Sequence, residues 1–86
     1  MVARHTFQIH ARCPMVPHEQ WDYYDVILQT EDTLDVHALE KAMDSVRGIL
    51  ATQEQIATIL KEQLPCEAMI EIKGRHSQNS ETTVVA

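Results

Sequence analysis

No run of apolar residues in this 86-residue chain approaches the ~18–20 that a membrane span requires. Arg4 and His5 interrupt the N-terminus early, so no signal peptide is expected either. Both absences read as a soluble, cytoplasmic protein with no membrane partner. Cysteine is scarce: Cys13 and Cys66 are the two present, and without a secretory signal two free thiols in a reducing compartment are expected over a disulfide. Bases are outnumbered, 7 against 13 acids, and a formal charge of −6 opposes the attraction on which nonspecific nucleic-acid binding depends. His5, His10, His18, His37 and His76 lack convergent ligand spacing, so no metal site is expected. Internal repeats and low-complexity tracts are absent too.

What remains is a single domain, residues 1–86, with an ordinary 44% apolar and 23% charged composition. A chain this short buries only roughly 60–65% of its unfolded surface, which leaves stability marginal unless copies associate. Homo-oligomerisation is therefore expected.

The chemically distinctive side chains crowd into Ala11 to Leu28, which holds the one Trp, both Tyr, Cys13, Pro14 and Pro17. Ahead of it, Phe7, Ile9, Ala11 and Cys13 alternate with Thr6, Gln8, His10 and Arg12, the period of a half-buried strand that ends at Cys13. Pro14 and Pro17 lack the N–H that a central ladder needs, so the chain leaves the sheet there. A second strand is predicted over 21–30, with Tyr24, Val26 and Leu28 on one face and Trp21, Tyr23, Asp25 and Ile27 on the other. Cys13 and Asp22 then flank one loop.

Downstream, Asp35 is placed to cap a helix carrying Val36, Leu39, Met43 and Val46, which Gly48 ends. Thr52 and Gln55 have capping-box spacing ahead of Ile56, Ile59, Leu60 and Leu64, and Pro65 stops this second helix. Ala68, Ile70, Ile72 and Gly74 alternate with Met69, Glu71, Lys73 and Arg75 in a third strand. Residues 76–80 read as a turn and 82–86 as a short fourth strand. The order ββααββ, with strands adjacent at both ends, predicts an α+β fold: an antiparallel four-stranded sheet with two helices on one face.

That order is similar to the unit of the tunnelling fold, whose units assemble into oligomeric barrels that bind purine- or pterin-like rings at subunit interfaces. Cys13-Pro14, a short loop and Gln20-Trp21-Asp22-Tyr23 resemble the Cys-Pro-x-Thr-Gly-Gln-Pro-Asp-aromatic motif of the nitrile reductases of queuosine biosynthesis, relatives of GTP cyclohydrolase I. Ser45-Val46-Arg47-Gly48 looks like that family's Ser-Phe-Arg helix end, and Thr52-Gln53-Glu54 stands where the family has Phe-His-Glu. Ile70 to Arg75 followed by Thr82 to Val85 is similar to its closing hairpin.

The departures are equally definite. The loop from Cys13 to Asp22 is two residues longer than in the reductases. Their Glu-x-Lys-x-x-Lys type nicotinamide motif is replaced by Asp35-Val36-His37-Ala38-Leu39-Glu40-Lys41, so the resemblance does not extend to NADPH and no cofactor is expected. Gln53 replaces the family's His, and Gln78-Asn79-Ser80-Glu81 its Pro-Arg-Gly-Gly turn. The zinc ligands of GTP cyclohydrolase I and the His-x-His of the pyruvoyl-tetrahydropterin synthases are not evident.

The resemblance implies a deazapurine ligand such as 7-cyano-7-deazaguanine. Cys13 would attack its nitrile carbon to give a covalent thioimide, and Asp22 would pass a proton to the nitrogen. Glu54 would hold the ring, since a carboxylate accepts parallel hydrogen bonds from a ring N–H and an amino group. Gln53 and Trp21 are the further substrate-binding candidates, Trp21 by stacking. Hydride delivery to a thioimide makes an amine and ammonia makes an amidine; without the nicotinamide motif the second is favoured, as in the archaeal amidinotransferase relatives. Their substrate is carried on tRNA, a partner disfavoured by the net charge unless assembly concentrates Arg4, Arg12, Lys73 and Arg75.

Plainer readings stand beside each of these. Cys13 can be a packing residue, Asp22 can satisfy loop amides, Glu54 can be a surface charge at a helix start, and the aromatics can be core or interface. The alternative function is a noncatalytic purine- or pterin-binding or assembly domain of the same fold, and a third is an α+β interaction module with no ligand. Cys66 reads as structural.

Overall fold

The computed structural model describes residues 1–15, 21–64 and 66–86, with 76 and 77 described by their backbone alone. Four strands and two helices follow in the predicted order: β1 (Ala3–Ala11), β2 (Asp22–Thr30), α1 (Val36–Asp44), α2 (Gln53–Gln63), β3 (Met69–Ser77) and β4 (Ser80–Val85). The sheet is antiparallel throughout and runs β1-β2-β3-β4. Its centre joins β2 to β3 across the two-helix connection, with Val26 opposite both Phe7 and Ile72. The turns placed at Pro17 and Pro65, and Gln20 of the motif, lie outside the described residues.

Alternation sets which side of the sheet is buried. Phe7, Ile9 and Ala11 of β1, Tyr24, Val26 and Leu28 of β2, and Ile70 and Ile72 of β3 face the helices. They meet Leu39, Ala42 and Met43 of α1 and Ile56, Ala57 and Leu60 of α2 in one core. Each fully buried Leu, Ile or Val contributes about 1.5–3 kcal/mol, so this single interface is the main source of stability. The opposite face carries Arg4, Ile27, Gln29, Met69, Glu71 and Lys73 around one shallow depression.

Capping chemistry fixes both helix starts. Asp35 accepts a hydrogen bond from the His37 amide at 3.0 Å. Thr52 and Gln55 close a capping box, the Thr52 hydroxyl accepting from the Gln55 amide at 3.2 Å and the Gln55 side chain accepting from the Thr52 amide at 2.8 Å.

Three expectations are corrected. Val36 is 53% exposed, because the first helical position turns away from the stripe that Leu39 and Met43 begin. Helix α1 ends at Asp44, and Val46 reaches the core from the turn that follows. The stretch 76–80 is mostly strand: β3 continues to Ser77 and β4 starts at Ser80, leaving Gln78 and Asn79 as the turn, with a register irregularity between Arg75 and Ser77.

Candidate functional site

The connection between the helices positions the end of β1. Gly48 has φ +78°, a conformation that disfavours a Cβ, and this lets its N–H donate to the His10 carbonyl at 2.7 Å. The chain then runs beside β1: the Arg12 amide donates to the Ile49 carbonyl and the Ala51 amide to the Arg12 carbonyl, each at 2.9 Å. Arg47 adds a clamp, bonding Glu40 and Asp44 at 2.8 Å and the Gln8 carbonyl at 3.3 Å. Hydrogen bonds to Glu40 and then Asp44 push the Arg47 pKa further up, so this clamp stays charged. Arg12 is thereby fixed, and Cys13 follows it as a half-buried free thiol.

Opposite this point β2 begins. Asp22 pairs with Ala11 in register, and Tyr24, two residues on and on the same helix-facing side, pairs with both Ile9 and Gly74. Tyr24 is 2% exposed. Its ring lies on the Gly74 backbone; a methyl group there would collide with Tyr24 Cδ1 and Cε1. Glycine is therefore what allows a buried aromatic to lie across β3 at this place.

The Tyr24 phenol gathers the predicted acids. Its pKa is pushed up to about 12, first by burial and then by the charges of Asp22, Cys13 and Glu54. The charges of three residues singled out in the sequence, one just after β1, one at the start of β2 and one in the first turn of α2, thus act on one buried hydroxyl. Glu54 sits where the helix dipole favours negative charge.

Gln53 and Trp21 lie elsewhere. Gln53 is buried between α2 and the sheet, its Nε2 donating to the carbonyls of Ile72 at 2.6 Å and Thr82 at 2.8 Å, which ties α2 to β3 and β4. Trp21 is 37% exposed at the same end of the sheet as Cys13 but joins the open face. There the Arg12 guanidinium lies 4.4 Å from its ring centre, and His10 meets it edge-on at 4.9 Å. Tyr23 is also on the open side, tilted toward His10. Of Trp21, Tyr23 and Tyr24, Tyr24 is the one buried in the core of the chain.

Sequence reading weighed Tyr24, with Trp21 and Tyr23, as a stacking surface for a planar ligand but favoured burial. The signal was available in part, since Tyr24 and Gly74 share the buried parity, but the register that stacks one on the other is a long-range fact. The large concavity of the chain, about 690 Å³, lies at the other end of the sheet, lined among others by Thr30, Glu31, Lys61, Glu67 and Met69. Its lining includes none of Cys13, Asp22 and Glu54. Among the described residues no group of three or more His, Cys, Asp or Glu is arranged to hold a metal ion, and no helix is long and apolar enough to cross a membrane.

No family model matches the sequence, and no curated protein does. Among solved structures, an archaeosine synthase, QueF-Like, in its apo form superimposes with a TM-score of 0.80 at 22% identity, over 99% of this chain and 90% of that one. At that identity the likeness bears on architecture. The chain therefore shares the fold of that structure, the α+β ββααββ arrangement that its element order led us to expect.

Proposed function

We propose that the protein is a QueF-like enzyme that binds a 7-deazapurine bearing a nitrile, of the 7-cyano-7-deazaguanine type, and adds Cys13 to it. The observation that carries the reading is that Cys13 and Asp22 flank the paired ends of β1 and β2, and that their charges and that of Glu54 all raise the pKa of the buried Tyr24 phenol. A fold shared with a protein named as an archaeosine synthase supports it.

Asp22 takes the Cys13 proton, and the sulfur forms a bond to the nitrile carbon. One carbon–nitrogen π pair moves to nitrogen, which receives the proton from Asp22, so the carboxylate ends as it began and the product is a neutral thioimide. Glu54 accepts from the ring N–H and amino group. Ammonia then attacks the thioimide carbon, the carbon–sulfur bond breaks, and the amidine leaves with Cys13 restored. Trp21, on the open face against Arg12, takes no part in this scheme, and Gln53 contributes through the strands it holds. No nicotinamide enters this scheme. Copies of the chain assemble through the sheet edges, where β4 offers an outer row of backbone groups.

Incubation of the wild-type protein with 7-cyano-7-deazaguanine gives a mass increase of one ligand and a near-ultraviolet thioimide band, both lost in Cys13→Ala. A wild-type protein that binds the ligand and stays unmodified defeats the proposal. One observation favours a noncatalytic purine-binding domain instead: Gln53, standing where the reductases have His, commits its Nε2 to two backbone carbonyls. That reading expects Glu54→Ala to weaken binding and Cys13→Ala to change nothing.

A further inference from the structure

The nitrile addition described above asks Glu54 to hold the ring, yet Glu54 is an exposed residue, and core packing does not fix where it stands. Its place follows from that of the first turn of α2. Of the first three residues of that helix, Gln53, Glu54 and Gln55, only Gln53 is buried, at 3% exposure. The capping box of Thr52 and Gln55 shapes the helix start, but its two members bond each other and not the sheet. Seating the first turn on the sheet is therefore left to Gln53.

An apolar side chain would fill that inward position without the cost of burying an amide. What the amide adds is direction, because apolar burial is indifferent to orientation and a hydrogen bond is not. The Gln53 Nε2 donates to the Ile72 carbonyl at 2.6 Å and to the Thr82 carbonyl at 2.8 Å, so both its N–H groups are used, on two different strands. Ile72 pairs with Val84 and Gly74 with Thr82, two residues apart on one ladder, so the amide straddles the β3–β4 hairpin. Gln53 Oε1 comes to the same glycine, 3.5 Å from where a Cβ of residue 74 would lie, and shares the space over Gly74 with the Tyr24 ring.

We propose that Gln53 is a positioning residue for Glu54: its amide pins the first turn of α2 to the β3–β4 hairpin and thereby gives the Glu54 carboxylate the placement that favours a ring bearing an amino group. The pinning bonds stand on the geometry, and their effect on ligand choice rests on the reading of Glu54 as the ring anchor. Two parallel bonds from a ring N–H and an amino group need the carboxylate in one orientation, whereas a single bond tolerates a shift. Loosening the turn therefore costs the aminated ring more than one without the amino group.

The test is calorimetry on the full chain in a Cys13→Ala background, where no covalent bond forms, with 7-cyano-7-deazaguanine and with its analogue lacking the amino group. With Gln53 in place the aminated ligand binds about tenfold tighter or more. In Gln53→Met, which keeps the length and loses both donors, that preference falls to about threefold or less, while affinity for the analogue stays within about twofold. In a Glu54→Gln background Gln53→Met has no further effect on the preference, since a positioning residue acts only through the group it positions. Gln53→Asn, one methylene too short to reach both carbonyls, gives the same loss of preference with a polar side chain and serves in place of Gln53→Met should that variant fail to fold.

A preference that survives in folded Gln53→Met or Gln53→Asn overturns the proposal. Equal losses for both ligands, the mark of a merely structural role, overturn it too, as does a loss that adds to that of Glu54→Gln. Failure of the underlying reading looks different: the preference is then absent with both residues in place, or indifferent to Glu54→Gln, and the positioning role falls with it. A preference that depends on Glu54 and not on Gln53 sinks the positioning role alone.

Discussion

Each end of the sheet holds a half-buried free cysteine beside a terminus of β2, and the two differ in what surrounds the sulfur. At the Cys13 end the thiol, Asp22 on the adjacent strand and Glu54 at a helix start each bear on one buried phenol, Tyr24. At the Cys66 end the sulfur lies 3.9 Å from the Thr30 hydroxyl, which itself donates to the Glu67 carbonyl at 3.2 Å and accepts from the Asp32 amide at 3.1 Å. Lys61 completes that end by donating to the Ala68 carbonyl at 3.0 Å. The first set can move protons, whereas the second satisfies backbone groups where β2 ends and β3 begins. Residue type and burial are alike, so it is the neighbouring side chains that separate a candidate nucleophile from a structural thiol.

The sharpest way to break this comparison is to remove one sulfur at a time. Cys66→Ala retains the full amount of ligand adduct in intact-mass measurement, while Cys13→Ala retains none, whatever the exposure time. Adduct that vanishes with Cys66 and persists without Cys13 would invert the assignment. Next in size is Glu54→Gln, which keeps the helix start and the shape but replaces charge-assisted bonds with neutral ones. Ligand affinity by calorimetry falls about 10–100-fold, the range expected for losing a hydrogen bond to a charged partner. An unchanged affinity would mean that Glu54 only decorates the surface.

Gly74→Ala probes the same end through packing. The added methyl meets the Tyr24 ring, so ring or strand must move, and overpacking of this kind costs about 1–3 kcal/mol. Chemical denaturation reads the loss, and tyrosine absorbance follows the ring: in wild type the Tyr24 phenolate forms near pH 12. The sign of the linked stability follows from the upward shift. The unfolded chain gives up this proton nearer the ordinary tyrosine value of 10, so the contribution is present below that value and is lost as pH rises from 10 toward 12. Gly74→Ala, by displacing the ring into water, narrows that alkaline window.

The fold was legible because each level of the sequence agrees with the next. Period-two alternation in β1, β2 and β3 put the right residues inward, and Asp35, Thr52 and Gln55 marked the helix starts by the chemistry that orphan amides require. The misplaced fourth-strand boundary has a plain cause: residues 76–80 are polar enough to read as a loop, yet the outer hairpin continues the sheet through them, and backbone pairing does not need apolar side chains. For the site, Cys13 and Asp22 could be named because they are close along the chain, at either end of one loop. What stayed hidden was long-range. The stacking of Tyr24 on Gly74, the Gln53 amide bridging two strands and the Arg12–Trp21 contact on the far face all depend on register, which local pattern does not encode.

The gentlest test lies at the other end, where Thr30 is 4% exposed and its hydroxyl serves Glu67, Asp32 and Cys66 together. Thr30→Val preserves the branched shape in a buried β2 position and removes one donor and one acceptor. Both orphaned backbone groups sit at the sheet margin, where water can reach them, so the net cost is about 1 kcal/mol and not the larger penalty of a sealed interior. Urea denaturation of Thr30→Val shows this as a lower midpoint at unchanged slope. The rate of Cys13 adduct formation stays at the wild-type value, because the two sites occupy opposite termini of β2 and share no side-chain partner. A slowed adduct rate at full folding would mean that the rigid central strand couples its two ends, and the division between a reactive and a structural cysteine would then be one of degree.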